Sequence, residues 1–153
     1  MPVPADPQPI GLDVTRTGRL LSRHFDEQLT AAGGSLPTWL IVTSLMRDDH
    51  TMQRDIASAV GIEGATLTHH LNRMEANGLV TRHRTPDNRR SQLVELTKDG
   101  RTLFSVLLDA VVGFDRQLCA GFSTTELDTL RGYLERLRAN ATAPPGRRAA
   151  SRR

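Results

Sequence analysis

Apolar positions along this chain fall into helix-spaced runs, broken once by a short stretch that alternates like strand. From Leu12 to about Ala32 the residues Val14, Leu21, Phe25 and Leu29 share a face, and Gly33-Gly34 ends the run. Ser35 is placed to cap a second helix, in which Trp39, Leu40, Val42, Thr43 and Met46 form a broad apolar side. Pro37 suits its first turn, where a missing N–H would be unpaired in any case. Thr51 is expected to cap a third helix, with Ile56, Ala57 and Val60 turned inward and Gly61 supplying the turn. A fourth helix is expected from about Glu63 to Ala76, stopped by Asn77-Gly78. Strand signals follow: LVTRHR, a turn-rich TPDNRR, then SQLVEL with Val94 and Leu96 two apart. Thr97 caps a fifth helix whose run LFSVLLDAVVGF is apolar on most sides, so it needs more than one neighbour. In a chain of 153 residues a second copy is the expected neighbour. The sixth helix opens with a capping box, Ser123 and Glu126, stapled by Phe122 to Leu127. Its stripe Leu127, Leu130, Leu134, Leu137 has helical spacing.

This order predicts a mainly α fold with a small antiparallel β wing: a winged helix-turn-helix, which offers one helix to a DNA groove and a hairpin to the flanking backbone. At about 100° per residue, Leu67, Leu71 and Met74 cluster within about 60° on the fourth helix. Ala65, His69 and Asn72 lie opposite, with Thr66, Thr68 and Arg73 at the margins. That outward set is small or hydrogen-bonding, which suits a major groove, although any solvated helix face is polar.

Charge sharpens the reading. The net charge is +3, but Arg147, Arg148, Arg152 and Arg153 supply four of the positive charges, so the rest of the chain is about neutral. Within it only 69–90 is clearly basic, with Arg73, Arg82, Arg84, Arg89 and Arg90 against Glu75 and Asp87. The positive field therefore falls on the proposed DNA-reading element. The composition, 38% hydrophobic and 24% charged, is that of an ordinary water-soluble chain. No apolar run approaches the roughly 20 residues needed to span a bilayer. MPVPADPQP lacks the regions of a signal peptide, and the lone Cys119 excludes an internal disulfide framework or a cysteine-cluster zinc site. A cytoplasmic protein is expected. No paired acid/base constellation, nucleophile motif or phosphate loop points to an enzyme, and nothing calls for a cofactor or a metal.

The segments QRDIASAVGI, ATLTHHLNRMEANGLVTR and DNRRSQLVELTKDG resemble the recognition core and wing of the MarR family of bacterial transcriptional regulators. The resemblance covers about residues 12–140 and is most specific over 51–100. It implies six helices in a homodimer that binds double-stranded DNA at an inverted-repeat operator, often released by a small, commonly aromatic, effector. The implied layout is a disordered leader, 1–11; an N-terminal dimerisation helix, 12–34; the winged domain, 35–97; C-terminal dimerisation helices, 98–141; and a disordered basic tail, 142–153.

Candidate roles follow. Ala65, Thr66, Thr68, His69, Asn72 and Arg73 are the recognition-helix contacts. At the wing, Asp87-Asn88-Arg89-Arg90 matches the family's Asp-x-Arg pattern. Arg89 would border the minor groove, Asp87 would orient arginine, Arg90 is a second candidate, and Arg82 and Arg84 are expected phosphate contacts. Thr51, Gln53 and Arg54 are further phosphate candidates, though capping alone explains Thr51. His70 stands where an aliphatic residue is usual and reads as a partly buried, satisfied histidine, with a phosphate or pH-sensitive contact as the alternative. Arg16, His24, Trp39 and Phe104 are the residue types sought in an effector pocket between dimer helices and winged domain, with core packing or surface salt bridges as the competing reading. The leading function is a repressor released by a ligand. Beside it stand a winged protein-interaction module and a thiol-based sensor acting through Cys119, for which a buried, unreactive thiol is the simpler account.

Overall fold

The structure is a computed structural model that describes residues 9–48, 51–85 and 88–143, with the side chains of residues 85 and 88–91 excepted. Among the described residues the order is α1 (Ile10–Ala31), α2 (Leu36–Arg47), β1 (Thr51–Met52), α3 (Gln53–Val60), α4 (Gly64–Ala76), β2 (Val80–Thr85), β3 (Asn88–Leu96), α5 (Lys98–Leu118) and α6 (Thr124–Thr142). The chain divides into two compact units, residues 1–114 and 115–153. No single helix among the described residues is long and apolar enough to cross a membrane.

In the first unit the core gathers Leu29 from α1, Ile41, Val42 and Leu45 from α2, Ile56 from α3, Leu67, Leu71 and Met74 from α4, Val80, Val94 and Leu96 from the sheet, and Leu107 from α5. Each such side chain contributes about 1.5–3 kcal/mol on burial. Gly34, in the turn between α1 and α2, is a point of close approach, since a Cβ there would meet Leu107 Cδ2 at 2.6 Å. α2 starts as expected, with Ser35 Oγ accepting from the Thr38 amide at 3.3 Å and Pro37 in the first turn. Its buried line differs from the expected one. Ile41, Val42 and Leu45 are buried while Met46 is exposed, because a run apolar all round leaves the helix phase open until its neighbours are placed.

The sheet has three antiparallel strands in the order β1-β3-β2. β1 corrects the expectation that Thr51 caps α3. Thr51 pairs with Val94, its hydroxyl donates to the Asp48 carbonyl at 3.0 Å, and Met52 occupies the N-cap position without a side-chain cap bond. The wing strands also run closer together than TPDNRR suggests, with Thr85 opposite Asn88 and a register shift between Arg84 and Thr85. α1 starts two residues before the expected Leu12, within the usual scatter of helix ends.

The turns between elements follow local chemistry. Gly61, at φ 67°, closes α3, and Gly78, at φ 70°, lets the chain leave α4 for β2. Thr97 caps α5: its Oγ1 accepts from the Gly100 amide at 3.1 Å and donates to the Gly78 carbonyl at 2.6 Å, tying the α4–β2 turn to the start of α5. α5 buries only Gly100 and Leu107, leaving Val106, Leu108 and Val112 exposed. In the second unit α6 opens with the expected capping box, both halves formed between Ser123 and Glu126, yet none of its residues is buried. The expected leader (residues 1–8 of it) and the basic tail from residue 144 lie outside the described residues.

Candidate nucleic-acid interface

α4 is set by its apolar line. Leu67 and Leu71 are wholly buried and Met74 nearly so, which turns Ala65, Thr66, His69, Asn72 and Arg73 outward, all exposed. One flank of this face is braced by side chains from neighbouring elements. Gln53 Nε2, at the start of α3, donates to Thr68 Oγ1 at 2.7 Å, and that hydroxyl donates to the Gly64 carbonyl at 2.9 Å. Further along the same flank, Arg82 of β2 donates from Nε to Glu75 Oε2 at 3.1 Å, and from Nη2 to Glu75 and to Asn72 Oδ1, the latter at 2.6 Å. Two elements thus hold α4 by side-chain hydrogen bonds in addition to its buried leucines.

Arg82 therefore has a different occupation from the phosphate contact expected of it. Strand alternation puts it on the face that carries Val80, opposite Val94, and its side chain is only 13% exposed. The hydrogen bond from Arg82 holds the Glu75 carboxyl below the usual carboxylate range. Glu75 was not singled out from the sequence. Its signal was a carboxylate three residues after Asn72 on the same flank, facing an arginine across a glycine turn. Arg84, two residues beyond Arg82, is exposed and among the described residues has no ion-pair partner, so it keeps the part expected of it open.

Of the other phosphate candidates, Gln53 has its amide nitrogen on Thr68, and Arg54 is exposed beside Asp55 at 3.5 Å. Thr51 belongs to β1. At the wing tip Asp87 lies outside the described residues. Asn88, Arg89 and Arg90 contribute backbone to β3, and their side chains also lie outside the described set.

His70 is partly buried, as expected, but among the described residues its ring has no hydrogen-bond partner and instead meets His69 edge-on at 5.9 Å. Burial, then the neighbouring His69 and Arg73, lowers its pKa, so the folded chain favours the neutral ring.

The four effector-pocket candidates are not drawn into one site. Trp39 and Phe104 stack at 5.8 Å with planes 4° apart and pack on the core, whereas Arg16 and His24 stand exposed on α1, His24 bound to Glu27 at 3.0 Å. A concavity of about 710 Å³ lies along α1 beside Arg19, Arg23, Asp26 and Glu27, and includes none of the four. Cys119 follows the last residue of α5 as a free, partly exposed thiol. Among the described residues no group of three or more His, Cys, Asp or Glu is placed to hold a metal ion.

Comparison with known proteins agrees with this geometry. Residues 35–92 match the MarR family pattern. The chain is 33% identical over 100 residues to an uncharacterized HTH-type transcriptional regulator, YdgJ, of Bacillus subtilis (strain 168); the match covers 65% of this chain and spans 61% of that relative's length. Among solved structures, a probable transcriptional regulator from Pseudomonas aeruginosa is 27% identical with a TM-score of 0.72, covering 85% of this chain and 97% of that one. A variant of MarR from E. coli, solved in complex with operator DNA, shares the fold with a TM-score of 0.73 at 20% identity, covering 85% of this chain and 94% of the other.

Proposed function

We propose that this chain, whose residues 35–92 match the MarR family pattern, is a member of that family: a cytoplasmic transcriptional regulator that binds double-stranded DNA as a homodimer and represses until a small ligand releases it. The observation that carries this reading is the face of α4. Ala65, Thr66, His69 and Arg73 are exposed and, among the described residues, have no bond to a neighbouring element, while Gln53 and Arg82 steady the adjoining flank. A free polar face on a fixed helix is what groove recognition requires.

In this reading Ala65, Thr66, His69 and Arg73 enter the major groove, with Thr68 and Asn72 at its edge. Arg84, Arg89 and Arg90 of the wing reach the flanking backbone and minor groove, Asp87 and Asn88 shape the tip, and Arg54 adds a phosphate contact from α3. Apolar residues left open on α5 and, separately, on α6 support a second copy as the missing partner. A two-fold dimer then reads a pseudo-palindrome with half-sites about 34–36 Å apart. The effector acts by preferring a dimer whose two α4 helices are wrongly spaced, and its effect can be no larger than that preference. Separation of the Trp39–Phe104 stack is the most direct way for an aromatic ligand to enter the core of the first unit.

The test is selection of bound sequences from random DNA. The expected product is an inverted repeat with half-site centres about 10 base pairs apart. Recovery of no sequence pattern would overturn the reading.

A further inference from the structure

We infer that Arg82 fixes the amide of Asn72 so that this residue meets DNA as a hydrogen-bond donor and not as an adenine reader. The inference rests on the proposed DNA-binding role of α4 and adds what one of its residues can recognise. An arginine has donors only, so the Asn72 atom that faces it at 2.6 Å is the carbonyl oxygen. The guanidinium cannot easily turn away, being largely buried and bound to Glu75 through both Nε and Nη2. Asn72 itself is exposed on the outward side of α4, so with its oxygen turned back to β2 it presents the amide nitrogen with two N–H donors. Reading adenine takes a donor for N7 together with an acceptor for the N6 amino group. The acceptor half is engaged by a charged donor. What remains matches acceptors: guanine N7 and O6, thymine O4, or a phosphate oxygen. Arg82 is thus a positioning residue, and Asn72 the contact.

The experiment compares the sequences selected by the full-length protein and by Asn72→Ala, with thermal melting as the control for folding. If the wild type selects no sequence at all, the DNA-binding reading fails before this inference is reached. If it does, Asn72→Ala should melt nearly as the wild type and weaken operator binding by about tenfold. Loss of preference at one base pair, where replacing guanine N7 by carbon weakens the wild type alone, identifies a base-edge acceptor. An A·T preference that survives removal of the adenine amino group also supports the donor role, through thymine O4. A uniform loss with an unchanged preference identifies a phosphate. Arg82→Lys, which keeps the charge but not the fork, should free the amide and alter preference at the same position. The inference is overturned if that position is an adenine whose amino group the wild type needs, or if Asn72→Ala changes neither affinity nor preference.

Discussion

α4 and α6 both set large apolar residues three and four apart, yet Leu67, Leu71 and Met74 on α4 are buried, whereas on α6 Leu130 and Leu134 remain 44% and 38% exposed. The two stripes are equally good helix faces. What differs is the company each keeps. α4 faces α2, α3 and β2 within its own unit, and its stripe closes a core. The α6 stripe buries none of its leucines fully, with Leu127 and Leu137 only partly covered, although the helix is well capped. Periodicity therefore tells which residues need covering but not what covers them, and for α6 a second copy is the proposed answer.

Truncation should separate the two helices most sharply. Leu71→Ala is expected to lower unfolding free energy by about 2–5 kcal/mol in a urea titration. Leu134→Ala should cost much less in dilute solution and instead weaken self-association, read by sedimentation as a rise in the monomer fraction. Equal losses of stability, with no change in association, would break the comparison.

Glycines offer a second contrast. A Cβ at Gly100 would stand 2.1 Å from the Leu79 carbonyl oxygen, so Gly100→Ala should destabilise by about 1–3 kcal/mol. Gly132 on α6 has nothing within 4 Å of such an atom, and Gly132→Ala should leave stability unchanged or raise it by up to about 1 kcal/mol through helix propensity. Next come the caps. Thr97→Ala and Ser123→Ala each remove a cap, at about 1 kcal/mol, and the loss should be greater for Thr97 because its hydroxyl also binds the Gly78 carbonyl.

The smallest effect is pH dependence, and α6 shares only its acid end, where hydrogen bonds from the Ser123 amide and hydroxyl lower the Glu126 pKa. His70 has a lowered pKa in the folded chain, so its contribution is present above the unfolded value of about 6.5 and is lost as pH falls. Glu75 is likewise lowered, and its contribution is lost lower down, as pH falls through the carboxylate range. Melting temperature should therefore fall in two stages on acidification. His70→Gln should flatten the upper stage and Glu75→Gln part of the lower, which Glu126 shares.

Much of the first unit was legible because its signals are local. Gly61 and Gly78 mark turns that demand a positive φ, and the α4 line Leu67, Leu71, Met74 fixes which side faces out. The misreadings all involve partners distant in sequence. Thr51 looks like a helix cap to any local reading, since β1 exists only through its pairing with Val94 and Leu93. Arg82 reads as a phosphate contact until the turn at Gly78 brings Glu75 and Asn72 to it. Trp39 and Phe104 suggest a pocket wall, but the fold lays one ring on the other. A cation's sign can be read from sequence, whereas its partner depends on tertiary placement.

The central claim is tested most directly by titrating the selected duplex and a scrambled duplex of the same composition with this protein, from about 50 to 200 mM salt. The account predicts tighter binding to the selected duplex, with log affinity falling linearly in log salt, and a slope reduced by about one for Arg84→Ala. Indistinguishable affinity for the two duplexes, or binding indifferent to salt, would contradict it.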